Sequence, residues 1–201
     1  MKLLNTLLFL FSFALNLTAQ NSENRKFNLN LPSSSVKPHL EEVLKDYPNA
    51  FRNIQGVEIC TYPGYTTYEC AREIPGAVSA SISRYATENG NVVSFEALMF
   101  SSENFNQAAA KYRSLFNDLS KGVIKMDRHR HYVLDGTFEK PFEEKKFFET
   151  SLRLLPADEV VDKLKLVITI EYVFPEWQVK IKLYDKEADD QIILGDEDDD
   201  M

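Results

Sequence analysis

In MDRHRHYVL, the residues Asp127, His129 and His131 alternate along the chain, so an extended strand would turn all three to one face. A carboxylate and two imidazoles so placed are metal-ligand chemistry, and with a bound water they would form the centre of a metal-dependent hydrolase. A closed structural zinc site needs a fourth ligand, and none is visible nearby. The competing expectation is a polar strand end, with Arg128 and Arg130 on the other face. His39 and Glu42, three apart in PHLEE, have a helical ligand spacing that any polar helix face also produces. The H-E-x-x-H, G-x-S-x-G, G-x-x-x-x-G-K-[ST] and G-x-G-x-x-G patterns are absent. Glu143-Glu144 and Asp158-Glu159 are adjacent carboxylates, which need not flank one substrate bond. No cofactor is implied.

Cys60 and Cys70 bracket TYPGYTTYE. If the hairpin closes through Pro63-Gly64-Tyr65-Thr66-Thr67, the two cysteines stand opposite one another and a disulfide is expected. The alternative is two free, buried thiols. No C-x-x-C redox pair occurs. The same tip carries Tyr62, Tyr65 and Tyr68, and tyrosine offers a large contact area at small entropic cost, so the tip is a candidate binding surface.

These groups must be held by a larger frame. SSSVKPHLEEVLKDY places Val36, Leu40, Val43, Leu44 and Tyr47 on one helical stripe, with Ser35 as N-cap, Pro38 in the first turn and Pro48 as the stop. SSENFNQAAAKYRSLFNDLSKG predicts a second helix from near Ser102, lining up Phe105, Ala109, Tyr112, Phe116 and Leu119 and ending at Gly122. At an offset of 65 positions, Leu40, Val43, Leu44, Tyr47, Phe51 and Ile54 meet Phe105, Ala108, Ala109, Tyr112, Phe116 and Leu119. TYECAREIPGA, from Thr67, likewise finds a counterpart in FFETSLRLLPA, from Phe147, and each half then gives two further strand-like runs. The reading is helix plus four strands, written twice.

The last hairpin alternates Leu164, Leu166, Ile168, Ile170, Tyr172 and Phe174 against Trp177, Val179, Ile181 and Leu183. A turn centred on Pro175-Glu176 would pair Phe174 with Trp177 and Ile170 with Ile181. Lys165, Thr169, Glu171, Gln178, Lys180, Lys182 and Tyr184 occupy the other face, which is therefore wet. The expected fold is α+β: an eight-stranded, largely antiparallel sheet with both helices on one face. Two sheets packed as a sandwich are the alternative. The predicted organisation is a signal peptide over 1–19, a linker over 20–35, one repeat over 36–101, a second over 102–184, and an acidic disordered tail over 185–201.

The leader combines Lys2, an apolar run from Leu3 to Leu17 and Ala19 at a cleavage position, as in a secretory signal peptide. Asn5, Thr6 and Asn16 interrupt it too often for a membrane span, so an exported chain, periplasmic or extracellular, is expected. The formal charge of −8 is localised: from Asp185 onward there are nine acids and one lysine, while 20–184 holds 21 basic and 22 acidic residues. With no basic stripe, nucleic acid binding is not expected. The tail lacks the loop pattern that bends carboxylates around calcium.

FRNIQGVEI, YECAREIPGA and VVSFEALMFSSENFNQAAAKYRSLFNDL resemble a group of small exported proteins from Bacteroidota. That resemblance brings no catalytic residue with it. The predicted architecture resembles that of the β-lactamase inhibitor proteins, whose tandem repeats form a concave sheet that grips an enzyme. The resemblances leave function open; the repeat, the wet sheet face and the lack of catalytic motifs point to a non-catalytic module that contacts a protein or peptide through an open sheet face (Lys180, Lys182, Tyr184) and the tyrosine tip. The alternatives are a carrier with an apolar cavity lined by Phe95, Met99 and Phe116, and the metal-dependent hydrolase.

Overall fold

The structure, a computed structural model, describes residues 35–87 and 90–186. The expected leader, nearly all of the linker and the tail beyond Lys186 lie outside the described residues.

Helix α1, Lys37–Asp46, buries Leu40, Val43 and Leu44 and carries Pro38 in its first turn. Its N-cap is Val36, and Ser35 Oγ reaches the Lys37 amide only at 3.4 Å, so the expected serine cap is slight. What ends the helix is Asp46. Its buried carboxylate accepts from the Asn53 amide at 2.9 Å and the Asn53 side chain at 2.5 Å, and also from Asn49 Nδ2 at 3.1 Å. These bonds curl the chain after a 3-10 turn at Tyr47–Asn49 and hold Ala50 and Phe51 in the left-handed region, at φ 53° and 56°. Arg84 reinforces the curl by donating to the Ala50 carbonyl at 2.7 Å and to Gln55 Oε1 at 2.8 Å.

Helix α2, Phe105–Leu119, starts one residue after Asn104, whose side chain accepts from the Gln107 amide as an N-cap. Lys121, not Gly122, takes the positive φ at its end. The cadence shared at an offset of 65 therefore does not mark a shared backbone. Tyr112, Phe116 and Leu119 are helical, whereas Phe51 and Ile54 lie beyond the end of α1, in the curl that Asp46 holds.

Among the described residues nine strands form one sheet: β1 (Gln55–Tyr62), β2 (Tyr65–Cys70), β3 (Ser79–Thr87), β4 (Gly90–Ser102), β5 (Val123–Lys125), β6 (His131–Asp135), β7 (Phe147–Leu155), β8 (Leu164–Val173) and β9 (Glu176–Asp185). The spatial order is β1-β2-β3-β4-β9-β8-β7-β6-β5, every pairing being antiparallel. The fold is α+β, as the sequence predicts, with one sheet rather than a sandwich. The sheet has nine strands instead of eight, because the second helix is followed by five: MDRHRHY turns back on itself and splits off the short β5. Each helix leads into an antiparallel meander, and the last strands of the two meanders, β4 and β9, meet at the middle.

One face of this sheet carries the core. Phe95, Ala97 and Met99 of β4, Trp177, Val179 and Ile181 of β9, Ile168 and Ile170 of β8 and Phe148 of β7 are all at most 2% exposed. Each of the larger side chains contributes roughly 1.5–3 kcal/mol on leaving water, and Ala97 about a third of that or less. Helix α2 presses on this face through Phe105, edge-on to Trp177 at 4.9 Å, and through Tyr112, whose hydroxyl bonds Thr150 Oγ1 at 2.5 Å. Between β4 and β9 the pairing steps from Leu98 with Lys180 to Phe100 with Val179, so β4 holds one extra residue there. That bulge lets both Met99 and Phe100 pack against the core.

The last hairpin is shifted from its expected register by two residues. Tyr172 pairs with Trp177, Ile170 with Val179 and Ile168 with Ile181, and the turn falls on Phe174-Pro175. An even shift preserves parity, so Leu164, Leu166, Ile168, Ile170, Trp177, Val179, Ile181 and Leu183 keep the face predicted for them, whereas Phe174, expected on that face, falls in the turn and is 85% exposed.

Candidate functional site

The face turned away from the helices is where the sequence-predicted contact residues fall, and pairing decides which of them meet. The first hairpin closes through Pro63-Gly64 alone, with Tyr62 opposite Tyr65, Thr61 opposite Thr66 and Cys60 opposite Thr67. This is a three-residue shift from the loop expected at the sequence level. An odd shift exchanges faces. Cys60 shares the outer face with Thr67, whereas Cys70 pairs with Gln55 and packs against the core. Both cysteines are free thiols, and the expected Cys60–Cys70 disulfide does not form. Burial pushes the Cys70 thiol pKa up.

The same register sorts the tyrosines. Tyr62 and Tyr65 stand on the outer face with ring centroids 5.2 Å apart, and Tyr65 stacks in turn on Tyr85 of β3 at 5.7 Å. Three rings from three adjacent strands thus form one ladder. Its middle member, Tyr65, has its phenol pKa raised by loss of solvent and by Cys60, Tyr62 and Tyr85 around it. Tyr68 pairs with Ile82, whose side chain is fully buried, and so leaves this group for the other face. Tyr85 was not among the sequence candidates. The signal for it was its position in the alternation of SASISRYA, where Ser79, Ser81, Ser83 and Tyr85 share one face.

From Tyr85 a hollow of about 650 Å³ runs diagonally over the outer face, within the usual size range of ligand sites. Its near part is lined by hydroxyls: Thr67, Ser81, Ser83 and Ser94. Its middle is an ion cluster. Lys180 reaches Glu171 at 2.6 Å and Glu96 at 3.2 Å, and Lys182 reaches Glu96 at 3.5 Å. Burial alone would lower the Lys180 pKa, but Glu96 and Glu171 outweigh it and the net direction is up. Tyr184 lines the hollow beside Ser94, its cross-strand partner. The far end is apolar, formed by Phe147 and Val173 with Lys146 at the rim. Lys180, Lys182 and Tyr184 therefore come together with Tyr85, while Tyr62 and Tyr65 back the ladder from outside.

The metal arrangement does not form. Residues 126–130 make a turn between β5 and β6, so Asp127, His129 and His131 never share a straight strand. Asp127 caps that turn: Oδ1 accepts from the His129 and Arg130 amides, each at 2.8 Å, and Oδ2 from Arg130 Nε at 2.6 Å. These bonds, the His129 amide first, hold its carboxyl pKa down at about 2. Among the described residues no group of three His, Cys, Asp or Glu side chains could hold a metal ion. Glu42 pairs instead with Arg72 at 3.5 Å.

Phe95, Met99 and Phe116 belong to the packed interior: Phe95 lies 6.2 Å from Phe51 and Phe116 5.2 Å from Phe138, ring to ring. Among the described residues no helix is long and apolar enough to cross a membrane. No protein-family model, no curated protein and no solved structure matches this chain.

Proposed function

We propose that this chain is an exported, non-catalytic binding module that engages a protein or peptide through the outer face of its sheet. The observation that supports this reading best is the hollow on that face, bounded by the Tyr62–Tyr65–Tyr85 ladder at one end and floored by Lys180, Lys182 and Tyr184. Sheet hydrogen bonding positions all of these side chains, so the surface is organised before any partner arrives, which reduces the ordering cost of binding. The ladder supplies stacked aromatic area of the kind that dominates interface energetics. The reading of the two helix-and-meander passes as copies of one unit rests on element order alone.

The test is capture of partners from the native extracellular or periplasmic fraction by immobilised protein, compared with a Tyr65→Ala, Lys182→Ala double variant. Both positions are on the outer face, so the variant is expected to fold and to lose the partners retained by the parent. Unchanged capture by the folded variant overturns the proposal.

A further inference from the structure

Three features of the hollow constrain what it can hold. The first is that the charges on its floor, Lys180 and Lys182 with Glu96 and Glu171, are already paired, while Lys146 at the rim is held by a carbonyl and a ring. Glu96 faces both Lys180 and Lys182, Glu171 faces Lys180, and Lys146 donates to the Glu143 carbonyl at 3.2 Å and lies over the Tyr172 ring at 4.9 Å. A charged ligand would have to break one of these half-buried pairs and strand its partner, at a cost that usually cancels the new contact. The electrostatics therefore favour an occupant without net charge where it crosses the floor.

The second is that the strands beneath the hollow, β3, β4, β9 and β8, are paired on both edges. Their backbone is spent on the sheet, so recognition by strand addition is closed here and side chains must do the binding. The free polar groups are short hydroxyls, Ser81, Ser83, Ser94 and Thr67, although Thr67 and Ser83 already share one bond at 3.1 Å. Such groups both donate and accept, which suits a run of amide N–H and C=O groups.

The third is that the two ends are apolar and of different character. Tyr85 lines the hollow and stacks on Tyr65, which is itself backed by Tyr62. At the far corner Phe147 is 45% exposed and Val173 46% exposed, and both line the hollow. A diagonal site with an apolar anchor at each end and amide-compatible hydroxyls between them matches an extended peptide better than a compact solute.

From these features we infer that the hollow binds a short, extended, uncharged peptide segment carrying one apolar side chain against the Tyr85 ring and a second against Phe147 and Val173. The inference rests on the proposed use of the outer face and names the class of partner. Recognition is by shape and amide hydrogen bonding, so affinity is insensitive to ionic strength.

The test uses a library of capped random peptides displayed against the purified full chain, followed by titration of the enriched sequences by calorimetry at 50 and 500 mM sodium chloride. The expected result is enrichment of uncharged sequences with two separated aromatic or aliphatic residues, whose Kd changes less than about twofold between the salts. Tyr85→Ala and Phe147→Ala are each expected to weaken binding about tenfold or more, as loss of an anchor does, while Tyr85→Phe, which keeps the ring, binds like the parent. Enrichment of acidic or basic peptides with steep salt dependence, preferential binding of an oligosaccharide panel, or no enrichment at all overturns the peptide class. If those ligands still lose affinity on Tyr65→Ala with Lys182→Ala, the outer-face reading survives; if no folded outer-face variant alters any binding, both fall.

Discussion

The hairpins β8–β9 and β1–β2 are built on the same principle and have opposite characters. β8 and β9 pair over ten consecutive positions without interruption, from Leu164 with Asp185 to Val173 with Glu176. β1 and β2 pair at five positions and break register twice. The difference follows burial. β8 is covered on its inner face by α2 and tightly surrounded on its outer face, where even Val167 and Thr169 are at most 1% exposed. A slip of one residue there would drive Lys165 and Lys182 into the core. β1 has a neighbour on one side only, and Val57 and Ile59 are 66% and 55% exposed. Nothing penalises irregularity, and bulges at such an edge discourage pairing with other chains. Rigidity is thus concentrated at the middle of the sheet, and the tyrosine ladder rises from its looser margin.

One substitution made at both places sets the comparison sharply. Ile181→Ala in β9 is expected to cost about 2–5 kcal/mol of unfolding free energy, and Ile59→Ala in β1 less than about 0.5 kcal/mol, both read from urea midpoints. Equal losses would show that the edge is as firmly packed as the centre.

A smaller effect concerns the pin between α2 and β7. Tyr112→Phe removes the phenol bond to buried Thr150 Oγ1, leaving that oxygen only the long contact from the Glu139 amide at 3.4 Å, and is expected to cost roughly 1–2 kcal/mol. Burial raises the Tyr112 phenol to about 12, so the stability from keeping it neutral is whole below its ordinary value near 10 and is lost as pH rises from about 10 through 12. Unfolding free energy, measured by urea denaturation between pH 9 and 11.5, should therefore fall less steeply with pH in Tyr112→Phe than in the parent. A parallel decline would remove Tyr112 as the cause, leaving Tyr132, also raised to about 12 by burial and its bond to Asp158, as the group to test.

The smallest effect is at the margin itself. Because Cys60 and Cys70 lie on opposite faces, adding a thiol reductant is expected to move the melting temperature by less than about 1 °C, whereas loss of a real bridge costs a few kcal/mol. A clear drop on reduction would show that the β1–β2 register differs from Cys60 opposite Thr67.

What could be read in advance divides along the same line. Face assignment survived wherever alternation was strong: Leu166, Ile168, Ile170, Val179 and Ile181 point inward because period-two patterning is itself the physics of a half-buried strand. Register is set by turns, whose closing residue depends on a few local angles, and both hairpins were misplaced. The two-residue error in β8–β9 was harmless to the faces, while the three-residue error in β1–β2 moved Cys70 and Tyr68 to the wrong side. The curl around Asp46 was invisible because a buried carboxylate collecting amides from seven residues downstream leaves no periodic trace. The turn through Asp127 hid for a similar reason: its alternating histidines imitate a strand. Lys180, Lys182 and Tyr184 were legible as one wet stripe, but their meeting with Tyr85 needed the β4–β9 pairing, which no local pattern encodes.

Among the described residues that pairing is the single seam of strand hydrogen bonds between the two meanders, and the hollow straddles it. Thr67, Ser83, Tyr85 and Glu96 come from one side, Lys182, Glu171 and Phe147 from the other. Neither half of the chain owns a complete site. On the proposed function, recognition would report that folding has finished: a nascent or cleaved fragment ending before residue 176 keeps Phe147 and Glu171 but lacks β9, and with it Lys180, Lys182, Tyr184 and the strand that joins the two sides.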